Sequence, residues 1–211
     1  MSKVLVVLAH PKNNQHSNSI DLYETFIKEY RKQHPNDQIT VRDLFAEDEE
    51  LTGIDSKFFE MQGKLAAGKQ IEDLSAEEQH ILKHSEELLQ EFIDHDKYVF
   101  VNPMYNMFLP YQLKMYFDNV TVAHRTFKYT EDGQQVGLMK GHKALHLQST
   151  GSPHKEFNDD FASQYLEGIL NFNGVGDVTH ITVESMDADL AHAPEFLEAG
   201  KRKAIEFAKE F

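Results

Sequence analysis

The chain contains no cysteine. Disulfides, thiolate nucleophiles and cysteine-based zinc sites are therefore excluded. Positive charge is scarce as well, with 21 Lys and Arg against 35 Asp and Glu and a formal net charge of −14. Nucleic-acid binding needs clustered basic side chains, so that partner class is not expected. Adhesion to an anionic membrane is disfavoured for the same reason. Several signatures are missing too. No G-x-G-x-x-G follows the first apolar run, and no G-x-x-x-x-G-K-[ST] occurs anywhere. Nicotinamide-only dehydrogenases and P-loop NTPases lose their usual marker. No G-x-S-x-G elbow follows a strand pattern, which disfavours a Ser-His-Asp hydrolase. There is no H-E-x-x-H; His80 and His84 share a helix face but lack a third ligand at metal-binding spacing, so no metal is expected. The opening run VLVVLA is shorter than the roughly 7–15 residues of a signal-peptide core or the about 20 of a spanning helix. A cytoplasmic location is the expectation.

What is present is an alternation. Apolar strand patterns occur at 3–9, 38–44, 97–103, 143–149 and 177–185. Between them lie helical periodicities: 17–34, 55–68, a long one to about 94 opened by a Ser75–Glu78 capping box, 111–121, 157–172 and 194–210. Residues 125–138 alternate around Asp132-Gly133, a hairpin signal. Strands separated by helices imply crossovers, hence a parallel sheet covered on both faces. Nothing in the 211 residues resembles a linker. One doubly wound domain spanning 1–211, with strand order 2-1-3-4-5 and an added hairpin, is expected.

Ligands of such sheets bind beyond the carboxyl ends of the strands, where strand order reverses. Three exits carry suitable chemistry. The first, HPKNNQHSNS, places Ser17 and Ser19 where a helix begins, with Lys12 nearby. Hydroxyls and free helix amides there suit one phosphate, and they equally suit a plain N-cap. The second is Pro103-Met104-Tyr105-Asn106-Met107. Pro103 restricts the chain direction, Met and Tyr offer a flat apolar surface, and Asn106 offers directed hydrogen bonds. A planar heterocycle fits, as does an aromatic turn packed into the core. The third, Ser149-Thr150-Gly151-Ser152, supplies hydroxyls and a flexible backbone. The acidic loop FAEDEEL after the second strand carries no such signal.

These segments resemble the bacterial FMN-dependent NADH:azoreductases and NADH:quinone oxidoreductases. The likeness runs from MSKVLV through ITVRDL, NPMYNM, TFKYTEDG and the ST-G turn. Its most specific part is PMYN followed closely by QLKMYFDNV, together with the S-x-S at Ser17 and Ser19. The resemblance implies a flavodoxin-like fold, FMN as cofactor, NADH as donor, a quinone or azo acceptor reduced in two alternating half-reactions, and a homodimer. It places Ser17, Asn18 and Ser19 on the FMN phosphate and His10 at a further contact. It places Met104, Tyr105, Asn106 and Met107 along the isoalloxazine, with Asn106 orienting N5. Ser149, Thr150, Gly151 and Ser152 fall at the flavin's polar edge. Phe127 and Tyr129 would wall a substrate pocket, from this subunit or its partner; packing within the hairpin is the alternative. His10 stands where the family usually has serine, Met107 where it has an aromatic, Ser152 where it has glycine, and His124-Arg125 where it has smaller residues. A non-catalytic FMN-binding electron carrier of the same fold is the alternative function.

Overall fold

The computed structural model describes residues 1–11 and 17–211. Lys12 falls outside the described residues. Five parallel strands form the central sheet: β1 (Lys3–Leu8), β2 (Gln38–Asp43), β3 (Lys97–Pro103), β6 (Lys143–Ser149) and β7 (Asp177–Val183), in the order β2-β1-β3-β6-β7. This is the expected 2-1-3-4-5 arrangement once the hairpin strands β4 (Phe127–Tyr129) and β5 (Gln135–Gly137) are set aside. The helices are α1 (Asn18–Gln33), α2 (Ser56–Ala66), α3 (Ala76–Ile93), α4 (Tyr111–Val120), α5 (Phe161–Asn173) and α6 (Ala193–Glu210). A 3-10 turn over Ile71–Asp73 precedes α3.

Two cores sandwich the sheet, and the two-residue period of the strands divides them. Val4, Val6 and Leu8 join Leu22, Phe26, Tyr30 and Ala204 under α1 and α6. Leu5 and Val7 join Tyr98, Phe100, Leu88, Phe117 and Leu166 under α3, α4 and α5. Central strands read as continuous apolar runs because both faces are covered.

One boundary departs clearly from expectation. Helix α5 begins at Phe161, not Phe157, because Asp160 caps it by accepting the Ser163 amide at 2.9 Å. Residues 155–158 turn instead, and the Phe157 ring stands in solvent. The acidic loop after β2 has a structural task. Glu49, nearly buried, accepts from Arg42 at 2.9 Å, while Arg42 grips Glu91 of α3 through two bonds of 3.0 Å. His84 and His80 approach Glu49 and Glu50 at 3.1 and 2.6 Å. The histidine pair thus faces the acidic loop.

Candidate functional site

Strand order reverses at β1, since the chain leaves it first for β2 and later returns to β3 on its other side. The exits of β1, β3 and β6 therefore lie side by side. Ala9 donates its amide to Val101 O at 2.8 Å, and Met104 donates to Ser149 O at 2.9 Å. The second and third predicted loops are thus tied together at the carboxyl end of the sheet, on the side where β1 ends and α1 begins.

At the first exit, Ser17 is the N-cap of α1, with φ −133° and ψ 120°. The cap bond is slack: Ile20 N stands 3.5 Å from Ser17 Oγ. Ser19 Oγ is 3.3 Å from Ser17 Oγ, and Ser19 is fully buried. Asn18 and Ser19 occupy the first helical positions, whose amides have no partner within the helix. Two hydroxyls and two amides thus gather at the positive end of a 16-residue helix, which favours an anion. His10 lies half-buried just past the end of β1.

The second exit is a tight hairpin. Tyr105 and Phe108 exchange both backbone hydrogen bonds, each at 3.0 Å. Between them, Asn106 and Met107 have φ of 48° and 65°. Two consecutive left-handed residues are the mark of a type I′ turn, which favours asparagine and glycine. Asparagine tolerates this region; methionine does so at a cost of order 1–3 kcal/mol. The turn is held from below, with Leu109 buried and the Phe108 ring 5.2 Å from that of Tyr165 on α5. Its tip is open: Tyr105 is 43% and Met107 41% exposed, while Met104 packs on the core. Partial burial raises the Tyr105 hydroxyl pKa, so it remains a neutral donor at pH 7. No acceptor for the Asn106 side-chain amide is found among the described residues.

The third exit is more self-contained. Thr150 is 2% exposed and its hydroxyl donates to Ser152 O at 2.7 Å. Ser149 is almost buried and presents its carbonyl to Met104. Gly151 O accepts amides of Asp187 and Ala188 at 3.0 and 2.8 Å. A Cβ on Gly151 would meet Asp187 Oδ2 at 2.5 Å, so a larger residue there would have to push the Asp187 carboxylate aside. Ser152 is exposed and has no positive φ, so the serine fits its backbone without strain.

Three anchoring residues escaped the sequence reading. Glu184, directly after β7, accepts amides of His154 and Lys155, both at 2.8 Å. His154 pairs with Asp159 at 2.9 Å, and Asp187 packs on Gly151. The fifth strand's exit was readable as another loop at the same end of the sheet. A second signal was also available: exposed Tyr111, Phe157 and Phe161 begin or precede helices that follow β3 and β6.

Phe127 and Tyr129 lie elsewhere. Their hairpin docks on the C-terminus of α5, with Met139 N on Asn173 O at 2.8 Å and the Phe127 ring 4.6 Å from Phe172. Helix α5 runs back toward the amino end of β7, so these rings stand at the opposite end of the sheet from the crevice. His124, also left-handed at φ 66°, and Arg125, which pairs with Glu86 at 2.8 Å, fix the hairpin's approach.

A doubly wound sheet, a helix N-terminus rich in hydroxyls and an open aromatic-methionine turn at the switch point are features that suit a nucleotide-type cofactor. Residues 2–207 match the family model described as flavodoxin-like fold. The chain is 40% identical to FMN-dependent NADH:quinone oxidoreductases of Bacillus cereus and of Halalkalibacterium halodurans, over the full length of each chain. It superposes with TM-score 0.90 on the FMN-dependent NADH-azoreductase from Bacillus anthracis str. Ames Ancestor in complex with FMN, at 30% identity, covering 100% of this chain and 99% of that one. The chain belongs to the flavodoxin-like family of FMN-dependent NADH:quinone oxidoreductases and azoreductases.

Proposed function

We propose that residues 1–211 form one FMN-binding domain that oxidises NADH and reduces quinones and azo compounds. The adjacency of three loops carries this reading: Met104 N on Ser149 O ties the β3 and β6 exits together beside the N-terminus of α1. The residues present fit FMN. Ser17, Ser19 and the first amides of α1, Asn18 included, would hold the terminal phosphate. Met104, Tyr105 and Met107 would cover one ring face, and Pro103 sets the direction of that segment. Asn106 would orient the ring at N5. Ser149, Thr150, Gly151 and Ser152 would meet the polar edge through the Gly151 and Ser152 amides, because the Thr150 hydroxyl, the Thr150 amide and the four carbonyls are already engaged. His10 sits at the mouth of the first loop.

FMN held by these residues would supply the two-electron chemistry that links NADH oxidation to reduction of the acceptor in alternating half-reactions. The protein binds, orients and limits water. Tyr105 and Met107 leave an exposed apolar surface against which a nicotinamide or quinone ring can stack.

The active unit in this reading is a cytoplasmic homodimer. Phe127 and Tyr129 are too far along the sheet to wall their own crevice, so they reach a substrate only from a partner subunit. The 59% exposure of Tyr129 leaves its ring available for that contact. Among the described residues no helix is long and apolar enough to cross a membrane.

Purified protein is expected to be yellow, to bleach with NADH, and to turn over a panel of quinones and azo dyes. A protein that remains colourless after FMN addition would overturn the reading.

A further inference from the structure

Behind the β3 exit lies a buried polar network that the flavin reading does not use. Asn102, His146 and Gln148 have no exposed surface, although the same sheet face is apolar at Tyr98, Phe100 and Ala144. Apolar residues of similar volume would fill the space at no loss of stability, so retained polar groups suggest a positional task.

The hydrogen bonds run in one direction only. Asn102 Nδ2 faces Pro103 O at 3.1 Å, and a carbonyl only accepts, which fixes the Asn102 amide. Asn102 Oδ1 then faces His146 Nε2 at 2.9 Å, so that nitrogen carries its proton. Burial keeps the ring neutral, leaving Nδ1 bare to accept from His180 Nδ1–H at 3.0 Å. Asn102 Nδ2 also reaches Gln148 Oε1 at 3.4 Å. Gln148 Nε2 in turn donates to Asp160 at 3.1 and 3.2 Å and to Ser163 Oγ at 3.3 Å. Asp160 caps α5 and is itself held by the Ser163 hydroxyl at 2.7 Å. Every polar atom of the Asn102, His146 and Gln148 side chains is used.

We infer that Asn102, clamped by His146 and Gln148, is a positioning residue that locks the Pro103–Met104 peptide and so aims the Met104–Met107 turn at the cofactor. This peptide is gripped from both sides: its C=O by Asn102 and its N–H by Ser149 O at 2.9 Å. The plane cannot rotate without breaking both bonds, and it is the stem of the strained Asn106–Met107 turn. The effect on cofactor rests on the FMN reading; the lock itself does not.

The test uses full-length protein, with and without FMN. Asn102→Asp keeps the shape and the acceptor for His146 but loses both donors. Amide hydrogen exchange at Met104 is expected to rise about tenfold, the scale of one lost hydrogen bond, while Val99 and Leu145 keep their protection. The FMN Kd is expected to rise about tenfold as well, and the loss should shrink at acid pH, where a protonated carboxyl donates to Pro103 O again. His146→Gln, which leaves Asn102 in place but loosens its Oδ1, should show smaller changes and carries the test if Asn102→Asp does not fold. Phe211→Ala, packed on Phe26 and Tyr30 beneath α6, lowers Tm without altering either readout. Unchanged Met104 exchange in the variants overturns the lock. Faster exchange with unchanged FMN Kd overturns its role toward the cofactor. Failure of the wild-type protein to bind FMN is a separate result that sinks the FMN reading, and exchange alone then decides the lock.

Discussion

The hydroxyl oxygens of Ser17 and Ser19 stand 3.3 Å apart at the first turn of α1, and the capping bond from Ile20 N to Ser17 Oγ is stretched to 3.5 Å. A good cap bond is near 2.9–3.0 Å. The Ser17 hydroxyl is therefore only loosely committed to the helix. Ser17→Ala should cost helix stability no more than about 1 kcal/mol. FMN affinity should respond more strongly, because a hydrogen bond to a charged phosphate is worth about 1.5–3 kcal/mol. Fluorescence-quenching titration is expected to give a Kd raised by roughly 10- to 150-fold for Ser17→Ala. Ser19→Ala should show the same direction. A lowered Tm with unchanged FMN affinity would mark the pair as a cap alone.

The Asn106–Met107 turn makes an opposite prediction, a gain in stability. Met107 has φ 65° and its side chain is 41% exposed, so little packing offsets the strain. Met107→Gly should raise unfolding free energy by about 1 kcal/mol. Met107→Val should lower it, since a β-branched residue is a poorer fit to a positive φ. Denaturant melts of the apo protein check both signs. The same glycine variant should bind FMN and yet raise the quinone KM, because the exposed thioether is removed from the crevice mouth.

Much of this site was legible in the sequence, and the reasons differ by residue. The continuous apolar runs at 4–8 and 98–101 announce buried parallel strands, and chain order then constrains the sheet. Ser75 and Glu78 form the expected capping box. The hydroxyls at 17 and 19 stand at a helix start because a cap and an anion site want the same chemistry. What sequence does not reveal is side-chain direction. Thr150 looks like a ligand donor but turns inward to Ser152 O, and Asp187 is brought to Gly151 by a crossover 36 residues later. Nor does local pattern reveal which end of the sheet a hairpin occupies. Phe127 and Tyr129 follow α4 in the chain, and only the docking of β5 on α5 places them away from the crevice. The helix expected from Phe157 starts later because the Asp160 cap outweighs apolar spacing.

His146 predicts an acid limb in stability. Burial pushes its pKa down to about 3, and the neighbouring His180 adds to the depression while Asp160 opposes it. In the unfolded chain the ring titrates near 6.5. Between those values the unfolded chain takes up a proton that the folded ring refuses, so stability falls as pH falls. The slope approaches about 1.4 kcal/mol per pH unit, or about 2 kcal/mol between pH 6.5 and 5. His180, also lowered chiefly by burial, acts in the same direction. Urea melts from pH 7.5 to 4.5 should show this decline. In His146→Gln the limb should be shallower by about one proton, although the variant starts less stable. An unchanged slope would mean that His146 is already protonated in the folded state.

The hairpin can be separated from the cofactor crevice by one methyl group. A Cβ on Gly137 would stand 2.2 Å from Gly174 N and 2.5 Å from Asn173 C, both backbone atoms. Neither can swing aside, and Gly174 is itself fixed at φ 102° as the C-cap of α5. Gly137→Ala must therefore lift β5 from α5, at a cost of about 1–3 kcal/mol. The lift displaces Phe127 from Phe172 and carries Tyr129 with it. The crevice at the other end of the sheet is untouched, so FMN Kd should remain at the wild-type value. If these rings wall a partner's substrate pocket, quinone KM should rise several-fold, and the dimer should weaken in sedimentation. Activity and assembly identical to wild type, with Tm alone reduced, would restrict Phe127 and Tyr129 to packing within the hairpin.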